Sequence, residues 1–177
     1  MLARRATLAV AALGALVLGG ASAAVGAPAG GAIQLWGTPS LTGNGGGTFV
    51  FTGAIAGAAK AAKSNASGKP SKTGQYSVLT FKTGTILVDR RKLNKALNFS
   101  NPTTFNSTTC SGSFSASAPL PLVRGTGGYA GISGTVKVKI TFAVVLPLTN
   151  GKCNPNTSAN PVAQFGTISG KGTVRFK

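Results

Sequence analysis

Across residues 134–147, Val136, Val138, Ile140, Phe142, Val144 and Leu146 stand at every second position, separated by Lys137, Lys139, Thr141, Ala143 and Val145. A period of two is that of a β-strand, whose successive side chains leave opposite faces, so these six apolar groups share one face. The other face is polar in its first half and apolar in its second. One end of the strand therefore meets water and the other is covered, and Pro147 ends it. Runs at 32–36, 48–55, 76–81, 85–89, 109–118, 121–124, 162–169 and 172–176 have the same character, for about nine short strands in all.

Between these runs lie turn-forming sequences: glycines at 43 and 45–47, Gly84, the glycines between 125 and 131, Asn150-Gly151 and Ser169-Gly170-Lys171. Only residues 91–97 read as a turn of helix. The segment 56–74 lacks large apolar groups and carries Lys60, Lys63, Lys69 and Lys72. It reads as a long basic loop, of a length that is usually functional or disordered. The fold class is all-β, and the pattern of strands and turns fits either a sandwich or an up-and-down barrel.

The N-terminus reads as an export signal. Arg4 and Arg5 precede an uncharged apolar run at 6–18, then Gly19, Gly20 and the small residues 21–23. The run is shorter than the roughly 20 apolar residues of a spanning helix, so no transmembrane span is expected once the signal is removed. Ala27-Pro28-Ala29 offers a second cleavage site, and the adjacent arginines also permit a twin-arginine route. The expected organisation is a signal peptide and short leader at 1–29, then a single domain at 30–177, secreted from a bacterial cell. In the oxidising compartment that export implies, the two cysteines, Cys110 and Cys153, read as a disulfide. Closing a loop of that length would stabilise the fold by about 4 kcal/mol.

Counting residues removes most hydrolytic chemistry. The chain has one carboxylate side chain, Asp89, and no histidine. A Ser-His-Asp triad, a glycosidase carboxylate pair and a zinc or calcium site all need groups that are missing. No CxxC pair is present either, and no metal or organic cofactor is expected.

The sequence LVRGTGGYAGISGT at 122–135, leading into the long strand, resembles the G-T-G-x-[YF]-x-G-x-x-G hairpin of the allene oxide cyclase and dirigent-like barrels. With TTCSGSF at 108–114 before it and GKGTV at 170–174 after it, the chain resembles the small secreted bacterial members of that group over residues 48–176. The resemblance implies an eight-stranded antiparallel β-barrel with an apolar interior and glycines where strands cross closely. Arg124 stands where the family usually has another glycine. The plant enzymes act through polar and acidic cavity groups that match no positions here, so the barrel carries over and the reaction does not.

Three functions follow as expectations. The first is a non-catalytic secreted barrel holding a small apolar ligand, with Trp36, Tyr76, Asp89 and Tyr129 as candidate ligand contacts. Asp89 is either paired with a neighbouring cation or, if it shares an inward face with Leu87, a proton donor in the cavity. The second is a basic envelope protein. Loss of Arg4 and Arg5 takes the 18 basic residues to 16 against one acid, a formal charge of +15, and nine of those 16 fall between positions 60 and 95. Lys60, Lys63, Lys69, Lys72, Arg90, Arg91, Lys92 and Lys95 would then bind anionic polymers or surfaces. Nucleic acid fits less well, because aromatic residues are not interleaved with these cations. The third is an isomerase or cyclase of the allene oxide cyclase type.

Overall fold

The computed structural model describes residues 29–40, 46–97, 102–153 and 160–177. All of the leader read at 1–29 except Ala29 lies outside the described residues, as do glycines 43 and 45. In chain order the elements are β1 (Gly31–Pro39), β2 (Gly47–Gly53), β3 (Gly57–Ser64), β4 (Tyr76–Phe81), β5 (Gly84–Asp89), α1 (Arg91–Ala96), β6 (Thr104–Asn106), β7 (Ser111–Gly125), β8 (Ser133–Val145), β9 (Leu148–Thr149), β10 (Lys152–Cys153) and β11 (Ala163–Arg175). Every pairing is antiparallel. The meander β1 to β5 joins β7 through Ile86↔Gly125, Leu87↔Arg124 and Val88↔Leu122 with a shift of register. The ring then runs β7–β8–β11 and back to β1, closing an eight-stranded barrel that leaves no continuous open edge.

The alternation at 134–147 fixes which way β8 faces. Val136, Val138, Ile140 and Phe142 are buried, whereas Lys137 and Lys139 are exposed. Two pairs of predicted strands prove to be continuous. Residues 111–118 and 121–124 belong to β7, despite Pro119 and Pro121, while Thr109 and Cys110 form the turn before it. Among the described residues 114–121 pair only with β8, and α1 packs against β7, so the prolines occupy an edge-like stretch where a missing N–H is tolerated. Residues 162–169 and 172–176 fall almost entirely within β11, with no turn at 169–171. A Cβ on Gly172 would collide with the Thr135 carbonyl oxygen, so that glycine serves a close strand crossing.

The expected loop at 56–74 is a strand in its first half. β3 pairs with β2 on one side and β4 on the other, and its alternation places Ala59 and Ala61 inward. Alanine and lysine are poor strand formers, and two-sided pairing overrides that preference. Residues 65–75 remain a loop. The Asn65 side chain ties it by accepting the Ser67 and Lys69 amides, each at 3.0 Å. The loop folds onto the outer face of β4 and β5, where Gly68 sits against Val78 and Leu87.

One end of the interior is filled. Tyr129, from a 3₁₀ turn between β7 and β8, packs on Phe81 at 4.7 Å between ring centroids, and Phe81 packs on Phe51 at 5.2 Å. Ile33, Ile86, Val136 and Val174 complete this core. Cys110 and Cys153 form a disulfide that ties the start of β7 to the β9–β10 hairpin. Among the described residues no helix is long and apolar enough to cross a membrane.

Candidate functional site

The other end of the barrel is hollow. A cavity of about 380 Å³ lies among Leu35, Phe49, Leu79, Phe142 and Ile168, with Leu93 and Leu97 of the α1 region also lining it. It is within the range of small-molecule sites, roughly 300–1,000 Å³. The small inward residue Ala61 helps to keep this end open, where a larger side chain would act as a plug.

Besides Ser40, next to β1, and Gln164 of β11, the polar residues of the cavity come from three neighbouring elements. Lys63 lies near the end of β3, Ser77 near the start of β4, and Arg90 and Asn94 in and beside α1. Chain geometry holds Arg90 in place. Its amide donates to the Gln75 carbonyl at 2.9 Å, its carbonyl accepts the Asn94 amide at 2.8 Å, and the Asn94 side chain donates to Gln75 Oε1 at 2.6 Å. The Arg90 guanidinium donates through Nη2 to the Gly74 carbonyl at 3.3 Å, while its Nε is buried without a hydrogen-bond partner. Burial lowers the Arg90 pKa from its ordinary value, because charge is disfavoured away from water. The group remains a cation that solvent only partly compensates.

The four candidate ligand contacts lie elsewhere. Trp36 is on the outer face of β1 and is 46% exposed. Tyr129 belongs to the filled end. Tyr76 is paired across strands with Asp89, and the Arg91 guanidinium lies 5.6 Å from the centre of its ring. Asp89 does share a face with Leu87, but that is the outer face under the 65–75 loop. Its carboxylate takes three hydrogen bonds from the Arg91 guanidinium at 2.6–3.1 Å and one from the Arg91 amide at 2.9 Å. The hydrogen bond from the Arg91 side chain is the largest influence in holding the Asp89 pKa below its ordinary value.

The eight predicted polyanion contacts do not form one surface. Lys63 and Arg90 line the cavity, and Arg91 is engaged with Asp89. Lys60 is exposed on β3, Lys69 and Lys72 on the loop, and Lys92 and Lys95 on α1. Sequence reasoning missed the inward direction of Lys63 and Arg90. Alternation from Ala59 through Ala61 gives a signal for Lys63 once β3 is recognised as a strand.

A second concavity, about 500 Å³ and open to solvent, lies outside the barrel between β6, β7, β8 and β11. It offers no charged side chain. No protein-family model, curated protein or solved structure matches this chain.

Proposed function

We propose that this protein is a non-catalytic, exported barrel that carries a small amphiphile, with the apolar body in the cavity and an anionic head at Arg90. The observation that carries the reading is an apolar hollow with the Arg90 guanidinium in its lining, a cation that has no carboxylate partner among the described residues. An acid group in the cavity that hydrogen-bonds the guanidinium would offset its charge. Charge-assisted hydrogen bonds of this kind are worth about 1.5–3 kcal/mol, roughly a 10- to 100-fold gain in affinity. The ionisable groups lining the cavity are the cations Arg90 and Lys63, with no carboxylate or imidazole among them. That set suits holding an anion better than it suits the proton transfers of an isomerase, the alternative the family resemblance suggests.

The test is organic extraction of the natively produced protein, followed by mass spectrometry of the extract. The Ala61→Phe variant, whose cavity is filled, serves as the control. The wild-type extract should contain about one equivalent of an amphiphile bearing an acid group, and the variant extract should lack it. A wild-type extract no richer in such molecules than the variant's contradicts the reading.

A further inference from the structure

The outer wall of the barrel places like charges face to face. Lys171 of β11 stands directly opposite Lys137 of β8, and Lys139, two residues along the same face, stands opposite Ser169. All three lysines are exposed. Directly opposed residues on antiparallel strands have Cβ atoms about 4.5–5.5 Å apart, where like charges destabilise the sheet. The chain's one acidic side chain, Asp89 of β5, is bound to Arg91 and leaves these lysines without a side-chain carboxylate.

Beside them lies Trp36, the chain's only tryptophan. Register places Trp36, Ser169, Lys139 and Ser117 in one row across β1, β11, β8 and β7, with Gln34, Lys171 and Lys137 in the next. These side chains line a shallow groove of about 460 Å³. The groove thus combines an exposed aromatic face, three uncompensated cations, and hydroxyl and amide groups, all on paired strands that need little ordering to bind.

We propose that this groove is a second binding site, independent of the barrel cavity, for an acidic polysaccharide. A sugar ring stacks on Trp36, its hydroxyls bond Gln34, Ser117 and Ser169, and acid groups on the chain sit at Lys137, Lys139 and Lys171. An indole face offers a sugar ring an apolar platform, and lysine ammonium groups bind anions as point charges. Single-stranded nucleic acid is better served by successive aromatic platforms along a basic track, and one tryptophan supplies a single platform.

The sole tryptophan gives a direct readout. Titration of the full chain with polygalacturonate should change Trp36 emission, and neutral dextran should leave it unchanged. Replacing Lys137, Lys139 and Lys171 by Gln should weaken polygalacturonate binding by about tenfold or more. Replacing the exposed Lys60, Lys69, Lys72 and Lys92 by Gln removes more charge but should weaken it by no more than about twofold. Trp36→Ala, scored by co-sedimentation, should lose binding with charge unchanged, and Trp36→Tyr should recover part of it. Circular dichroism confirms that each variant is folded. The proposal is overturned if emission does not respond, if the two lysine sets weaken binding in proportion to charge alone, or if Trp36→Ala binds like wild type. Tighter binding of oligothymidylate at equal charge and salt would overturn it in favour of nucleic acid.

Discussion

Asp89 is bound to Arg91 through both Nε and Nη2 at 2.6–3.1 Å, while Arg90, one residue away, lines the cavity and has no carboxylate partner. Strand alternation makes the division. Asp89 leaves β5 on the outer face, and the next residue turns inward as α1 begins. The only acid side chain in the protein is thereby engaged outside, and the cavity keeps an unneutralised cation.

The Asp89–Arg91 pair predicts an unusual acid profile. Because the folded Asp89 pKa is depressed, its stabilisation is fully present above the unfolded carboxylate pKa, about 3.9, and is lost as pH falls through the lower folded value. No other side-chain carboxylate contributes. Thermal stability should therefore be nearly flat from pH 7 to about pH 4 and decline only below that. Asp89→Asn should remove the decline, as differential scanning fluorimetry across this range would show. A steep acid loss retained in Asp89→Asn would contradict this assignment.

Arg90→Met should raise the stability of the unliganded protein. The change replaces a partly buried, uncompensated cation with an apolar side chain of similar length. Such replacements are neutral or stabilising, here by about 1 kcal/mol, or roughly 2–4 °C in Tm for a domain of this size. A Tm more than a few degrees below wild type would show that the Gly74 hydrogen bond outweighs the desolvation cost.

Gly172→Ala should destabilise by about 1–3 kcal/mol, the usual cost of forcing atoms into a packed site. The new methyl group would meet the Thr135 backbone, which cannot swing aside as a side chain can. Urea denaturation measures the effect. A neutral result would mean that β8 and β11 separate easily at this point.

Replacing both Cys110 and Cys153 by Ser should cost about 4 kcal/mol, and reduction of the wild type should have the same effect. The disulfide joins positions 43 apart in sequence. Comparing urea midpoints with and without reductant checks the value, and midpoints that agree would contradict it.

The sequence disclosed its long strands where alternation was strong. β8 and the inner face of β1 are examples, since their buried residues recur at every second position. β3 was hidden because alanine and lysine carry little strand preference, and only its two partners make it a strand. β7 and β11 were each divided by residues that usually mark turns. The prolines of β7 occupy a stretch paired on one side, and the glycines of β11 admit a neighbouring strand. The candidate site was least legible, because inward and outward exchange with a single residue of register. Position along the chain grouped Lys63 and Arg90 with Lys60 and Arg91, and the strands separated them. Trp36 was noticeable as a lone aromatic, but its outward direction depended on the same parity.

Isothermal titration calorimetry with decanoate and decanol, on wild type and Arg90→Met, tests the central claim most directly. Wild type should bind one decanoate at least about tenfold more tightly than decanol, and Arg90→Met should bind the two alike. Equal affinities for acid and alcohol in the wild type, or a preference for the acid that survives in Arg90→Met, would contradict an anion-selective cavity built on Arg90.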